Sequence, residues 1–255
     1  MPSFASYPSL KDRAVFVSGG GSGIGASIVE HLAAQGARVG FVDIDEASSK
    51  ALGAKIAAAG HPAPLFAKCD LRDIDAYQAV LADLAGRLGP FTVLINNAAR
   101  DDRHALQDVT TEFWDERIAV NLRHAYFAIQ AVAPGMKKAG GGSIVNFSSV
   151  SYHKMTARLS VYQAAKAAVI GMTRGLARDL GPDKIRLNSI TPGWIMTQRQ
   201  IDLWLTPEAE ADLMKTQCLK EKLYPPDIAR MALWLAADDS RLVTGQNFVV
   251  DGGSM

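Results

Sequence analysis

The chain has 255 residues, 48% of them hydrophobic, which is ample for a buried core in one large α/β domain or two smaller ones and excludes a disordered chain. With 27 basic and 26 acidic residues the formal charge is +1, so nothing points to nucleic acid or an anionic membrane surface as a partner. Cys69 and Cys218 are the only cysteines and lie in no metal-like or CxxC spacing, which excludes a zinc site or disulfide framework and fits a reducing cytoplasm.

The first residues, "MPSFASYPSLKDR", lack a basic start followed by an apolar run, and no uncharged apolar stretch of about 18 residues follows, so a soluble, unexported protein is expected. Seven short apolar runs then recur: "AVFVS" (14–18), "RVGFVD" (38–43), "PLFAKCD" (64–70), "TVLINN" (92–97), "SIVNFSS" (143–149), "IRLNSI" (185–190) and "NFVVDG" (247–252). Each reads as a buried parallel strand. Helix-length segments such as "GIGASIVEHLAAQGA" and "IDAYQAVLADLAGRLG" separate them, several ending in Gly. This alternation predicts α/β architecture over 1–255: a single Rossmann-type doubly wound domain, with a parallel sheet of about seven strands and helices on both faces. Only residues 191–226 depart from it, and so long an excursion at the carboxyl edge of a sheet reads as a substrate lid.

After the first strand, "SGGGSGIGASIV" (18–29) opens a helix. Glycines there let the backbone approach a pyrophosphate, and the helix N-terminus offers free N–H groups. Asp43 closes the second strand, near the spacing at which an acid accepts hydrogen bonds from an adenosine ribose. It would repel a 2′-phosphate, and no Arg follows it, so NAD is expected over NADP; Asp45 is the weaker candidate for the same role.

"SVYQAAKAAV" (160–169) places Tyr162 and Lys166 one turn apart on one helix face. Oxidising an alcohol requires its hydroxyl proton to leave, and a free tyrosine with a pKa near ~10 is mostly protonated at neutral pH. A neighbouring ammonium favours phenolate, so Lys166, with the positive nicotinamide of an oxidised cofactor, is expected to lower the Tyr162 pKa.

With these residues in place the chain resembles the short-chain dehydrogenase/reductase family over almost its full length. The family's TGxxxGxG loop is matched by Ser18, Gly19, Gly23 and Gly25, and its NNAG motif by Asn96, Asn97, Ala98 and Ala99, so that the final glycine is lost. YxxxK is matched by Tyr162 and Lys166, with Ser149 thirteen residues before the Tyr and Asn121 in "AVNLRH" on the preceding long helix. The resemblance implies that Ser149 holds the substrate oxygen, that Asn121 binds a water linking Lys166 to solvent, and that Lys166 also holds the nicotinamide ribose. For the cofactor it further implies Ser22, Ile24, Asp70, Leu71, Asn97, Ala98, Pro192, Gly193, Ile195 and Thr197, with Asp70 at the adenine and Thr197 near the phosphates. A homotetramer formed through the helices of Asn121 and Tyr162 and through the C-terminal strand is implied as well; the small residues of "AAKAAVIGM" would allow close helix contact or pack on the domain's own sheet.

"RDDRH" (100–104) and "SYHK" (151–154) flank the reacting centre, and their polarity suits a polyhydroxylated substrate, although Asp101, Asp102 and Arg103 also read as surface charges. "NNAARDDRHALQDVT", "FWDERIAVNLRH" and the C-terminal region from "QCLKEKLYPPDIARM" onward resemble bacterial aldose 1-dehydrogenases of the D-xylose, L-arabinose and L-fucose type. That implies oxidation of an aldopentose or 6-deoxyhexose at C1 to an aldonolactone. Ser151, His153, Trp194 and Gln198 are the expected sugar contacts beside Ser149 and Tyr162, with Met196 a further candidate and Trp204 in the lid. The alternatives are a ketone or secondary-alcohol oxidoreductase of the same family, and a nicotinamide-binding sensor without chemistry, which would be expected to lack the Tyr or the Lys. No metal is expected.

Overall fold

β1 (Ala14–Ser18) is buried along its whole length because it lies inside a seven-stranded parallel sheet, in a computed structural model that describes residues 4–255. Met1, Pro2 and Ser3 of the N-terminal segment lie outside the described residues. The other strands are β2 (Arg38–Asp43), β3 (Leu65–Lys68), β4 (Val93–Asn96), β5 (Gly142–Phe147), β6 (Ile185–Pro192) and β7 (Asn247–Val250). All seven coincide with the apolar runs of the sequence, and the order is β3-β2-β1-β4-β5-β6-β7. The strands stay parallel, but the order in which they are added to the sheet switches sides between β1 and β4, which opens a crevice beyond their carboxyl ends where ligands bind in such folds.

Both faces of the sheet are covered, and alternate side chains of one strand serve opposite layers. Val15 and Val17 of β1 pack with Ile28, Val29 and Leu32 of α1 (Gly23–Ala34) and with Ile228 and Leu233 of α9 (Pro225–Ala236). Ala14 and Phe16 point the other way, to Tyr77, Leu81 and Leu84 of α3 (Ile74–Leu88) and Ile129 and Val132 of α5 (His124–Lys138). A strand buried on both faces needs no polar alternation, hence the continuous apolar runs.

Several helices start where a short polar side chain accepts from the first turn. Asp45 caps α2 (Glu46–Ala58), Asp73 caps α3 and Thr110 caps α4 (Thr111–Ile118). Between α4 and α5, residues Ala119–Arg123 form a π-turn. The sequence reads this region as one long helix; a one-residue widening leaves no mark in apolar periodicity. The excursion, expected over 191–226, is narrower in the structure, running from the end of β6 at Pro192 to the start of α9 at Pro225, and it contains two further helices, α7 (Gln198–Trp204) and α8 (Pro207–Thr216), capped by Thr197 and Thr206. Its far end is fastened to the C-terminal segment through Cys218 N donating to Gly253 O and Leu219 N to Gly252 O.

Candidate active site

Beyond the carboxyl ends of the strands lies a cleft of about 1390 Å³, larger than the ~300–1,000 Å³ that suits one small molecule, with volume for a dinucleotide and a second reactant. Its walls run from Asp43, Asp70, Leu71 and the glycine loop at one end to Ser149, Tyr162, Lys166 and the excursion at the other.

The glycine loop is built for close approach. Gly19 has φ +66° and Gly23 φ +53°, and a Cβ on Gly25 would stand 1.8 Å from the Gly19 carbonyl oxygen. Asn97 fixes the loop from below: its Nδ2 donates to Ser18 O (3.2 Å) and Gly19 O (2.9 Å), while Ser18 Oγ accepts from Asn97 N (3.1 Å) and Ala98 N (3.2 Å). Ser22 opens α1 without spending its side chain as a cap, so the first N–H groups of α1 remain for a ligand. These features fit a dinucleotide pyrophosphate. Thr197 stands over the same turn, with Cγ2 3.1 Å from where a Gly23 Cβ would be. Ala99, in the place of the family's glycine, is not among the residues of positive φ, so the substitution strains nothing.

Asp43 is held on the loop, its Oδ2 accepting from Gly21 N (2.8 Å) and its Oδ1 from Asp45 N (3.0 Å). Asp45 is committed elsewhere as the α2 cap, and only Asp43 of the two lines the cleft. Asp70 also lines it. Its hydrogen bonds from Arg72, at 2.6 Å from Nη2, hold its carboxyl below the usual value, and Arg72 reaches on to Glu116 at 2.5 Å.

At the chemical end, α6 (Ser160–Leu180) is pinned to the sheet by buried polar bonds, and that fixes where Tyr162 and Lys166 point. Ser148 Oγ donates to Lys166 O (2.7 Å); Asn146 takes a bond from Asn96 (2.8 Å) and gives one to Thr173 (2.9 Å). Lys166 is 2% exposed, and its Nζ donates to Phe147 O (2.8 Å) and lies 5.6 Å from the centre of the Tyr162 ring. Burial pushes its ammonium down to about 7. Burial, reinforced by the Asp101 carboxylate, holds the Tyr162 phenol above its ordinary value, while a hydrogen bond with Ser149 and the charge of Arg103 oppose them. The sequence expects Lys166 and the positive nicotinamide together to lower the Tyr162 phenol; in the protein by itself burial dominates and the phenol stands high.

Asn121 lies in the π-turn, 1% exposed. Its side chain is fully engaged: Oδ1 accepts from Arg100 N (2.9 Å), and Nδ2 donates to Arg100 O (3.0 Å) and Arg117 O (2.9 Å). The amide thus anchors the loop after β4. Beside it, His124 is buried with Nε2 3.2 Å from Ala98 O, and burial, then the Lys166 charge, depress its imidazole to about 3, so it stays neutral.

The substrate end differs from expectation in two places. His153 is exposed, stacks on Tyr152 and does not line the cleft; its neighbour Lys154 does, because one residue of phase around the Val150–Tyr152 turn exchanges inside for outside. Met196 is 3% exposed and belongs to the interior rather than to the cleft wall. Ser149, Ser151, Trp194, Gln198 and Trp204 do line it, as do Pro192, Gly193 and Ile195. The Ser151 hydroxyl is buried without a hydrogen-bond partner.

The loop charges that read as surface features are built into this wall. Buried Arg117 pairs with Asp102, Arg199 of α7 reaches Asp102 at 3.2 Å, and Gln200 joins Asp101 (2.9 Å) to the Trp194 indole (2.9 Å). Arg103 stacks over Trp204 at 4.8 Å. Sequence reasoning missed Arg117 and Lys154; a charge inside an otherwise ordinary amphipathic helix or turn gives no periodic signal. Among the described residues no cluster of potential metal ligands occurs, and no helix is long and apolar enough to cross a membrane.

The profile of a family described as Enoyl-(Acyl carrier protein) reductase matches residues 19–255. The chain is 51% identical to the "Probable galactose dehydrogenase GalD" of Rhizobium meliloti (strain 1021), over 98% of this chain and 97% of that protein. It is 50% identical to the D-xylose 1-dehydrogenase of Caulobacter vibrioides (strain NA1000 / CB15N), over 98% of this chain and 99% of that protein. Among solved structures, the 3-oxoacyl-[acyl-carrier protein] reductase of Brucella melitensis superposes with a TM-score of 0.91 at 31% identity, covering 100% of this chain and 98% of that one.

Proposed function

The chain belongs to the short-chain dehydrogenase/reductase family, oxidoreductases acting on CH–OH groups, and from that premise we propose that it oxidises a cyclic aldose at C1 to the aldonolactone, with aldopentoses and 6-deoxyhexoses as the expected class. The observation that carries the reading is the polar lining of the cleft that holds Tyr162, to which Asp101, Arg103, Lys154 and Gln198 contribute beside Trp194. Charged and amide side chains around a cleft suit a ligand with several hydroxyls better than an apolar alcohol, which would displace their water without replacing its hydrogen bonds. The identities to sugar dehydrogenases support the same substrate class.

Ser149 holds the anomeric oxygen, and Tyr162 takes its proton as the C1 hydride leaves. A nicotinamide dinucleotide in the cleft supplies the hydride acceptor. Lys166 passes the proton on, its depressed pKa suiting exchange near neutrality. The Asn121 amide is committed to Arg100 and Arg117, so on this reading the water that links Lys166 to solvent is held by the Asn121 main chain rather than by its side chain. The excursion helices α7 and α8 act as the lid over the sugar. One catalytic domain, residence in the cytoplasm and a homotetramer complete the proposal. Exposed Ala164, Ala167, Ala168, Gly171 and Gly175 leave a flat outer face on α6 that supports close helix contact.

The reading is tested by initial rates of nicotinamide reduction over aldopentoses, 6-deoxyhexoses, hexoses and simple secondary alcohols. Turnover confined to aldoses is expected; activity on secondary alcohols with silence on every sugar would replace it by the ketone/alcohol alternative.

The same reading assigns NAD rather than NADP. Asp43 presents a carboxylate where a 2′-phosphate would lie, and Arg72, the cation lining that end, is already paired with Asp70 and Glu116. Asp43→Ala is expected to lower the ratio of kcat/KM for NAD to that for NADP by about tenfold or more, the scale of one charge contact. An unchanged ratio would place the acid away from the ribose.

A further inference from the structure

We propose that His104 is a positioning residue for Tyr162, capping the first turn of α6 from outside the helix and tying it to the loop that carries Asp101 and Arg103. The inference rests on Tyr162 being the proton acceptor, and it assigns a task to a buried histidine that the mechanism leaves unused.

α6 is 21 residues long, yet it lacks the local cap that α2, α3, α4, α7 and α8 possess. Its N-cap position is Leu159, with φ −134° and ψ 19° and no side-chain acceptor to offer. Free N–H groups in a first turn need partners from elsewhere. His104, 6% exposed, provides one: Val161 N donates to its Nε2 at 3.4 Å, and Ser160 Oγ lies 3.1 Å from the same nitrogen. The opposite nitrogen, Nδ1, stands 3.2 Å from the Asp102 carbonyl. Facing a carbonyl, Nδ1 carries the hydrogen, which leaves the lone pair of Nε2 for the helix. The ring is held further by Phe113, with centroids 5.1 Å apart, and its backbone N donates to Arg158 O at 2.9 Å.

One imidazole thereby joins two parts of the site. Tyr162 follows directly after the capped Val161, and Asp101 and Arg103, on the same loop as His104, are the two charges that act on its phenol. Loss of the Nε2 acceptor frees the first turn of α6, and the phenol loses its register with Ser149. Displacements near 1 Å at a reacting group can cost about 10²-fold. The glycine loop and Asp43 lie on other elements and are unaffected.

The test compares His104→Gln, His104→Asn and His104→Leu, assayed with whichever alcohol or aldose the unaltered enzyme oxidises best. Gln can place an acceptor oxygen near the position of Nε2, whereas Asn is one methylene too short. Expected is a kcat within about threefold of the unaltered enzyme for Gln and a fall of roughly tenfold or more for Asn and Leu. Nicotinamide affinity, followed by fluorescence titration, should stay within about twofold throughout, as a cap acting on α6 alone requires. Equal kcat for the Gln and Asn variants, whether both high or both low, overturns the proposal, as does a loss that falls on cofactor affinity and leaves kcat intact. Should the Leu variant fail to fold, the Gln and Asn pair still decides. Because every rate is a ratio to the unaltered enzyme on the same substrate, the outcome is independent of whether that substrate is a sugar.

Discussion

Tyr162→Phe is expected to lower kcat by about 10²–10⁴-fold, the range that one general acid–base group contributes, while nicotinamide affinity changes by less than about twofold. The substitution removes one oxygen and leaves the ring packed where Lys166 lies 5.6 Å from its centre, so neither α6 nor the glycine loop should move. Burial and the Asp101 carboxylate hold the phenol above its ordinary value, so at neutral pH most of it is protonated and the proton-accepting form is scarce. Below the phenol pKa that form increases tenfold per pH unit. The rate of alcohol oxidation by the unaltered enzyme should therefore climb with pH above neutrality, and Asp101→Asn, which removes the charge opposing ionisation, should move the climb to lower pH. Steady-state rates from pH 6 to 10 check both. Residual turnover of the Phe variant above about a tenth of the unaltered rate would exclude Tyr162 as the base.

The central strands are legible because a strand buried on two faces must be apolar throughout, as in "AVFVS" and the "VLI" of "TVLINN"; the edge strands β3 and β7 are only partly buried and are marked by short β-branched and aromatic runs instead. The glycine loop was legible because the space is closed to any side chain: a Cβ at Gly25 meets backbone at 1.8 Å. Legibility declined where a role depends on phase or on partners distant in sequence. His153 and Lys154 exchange places through one residue of turn geometry. Asp102 reads as a solvated charge until Arg117, fifteen residues on and buried, is brought to it. Asn121 was located by motif, but its amide does structural work, holding Arg100 N and O at 2.9 and 3.0 Å through a π-turn that periodicity cannot register. His104 closes the polar "RDDRH" segment, but its capping role gives no sequence signal, since its partners Ser160 and Val161 lie more than fifty residues away.

Lys166→Met is expected to abolish turnover and at the same time to stabilise the protein measured without nicotinamide, by an amount on the order of 3 kcal/mol at pH 7. The unfolded chain binds a proton at Lys166 up to its ordinary pKa of 10.5, whereas burial pushes the folded value down to about 7. Between those two values the unfolded state holds more protons than the folded one, so stability rises with pH across the interval. Below pH 7 both states are protonated and the full cost of a buried ammonium is present; by about pH 10.5 it has gone. Methionine fills a similar volume without the charge, and the main loss is the donor to Phe147 O, at roughly 1–2 kcal/mol. The advantage of the variant in urea unfolding should therefore be largest at and below pH 7 and should shrink steadily toward pH 10. A difference that does not vary with pH would mean that Lys166 keeps its proton in the folded site, leaving it a fixed charge rather than a proton carrier. A difference that fades as expected would identify the stability sacrificed at this position with the property that suits the lysine to proton exchange, namely an amine held near neutrality by the same burial that destabilises it.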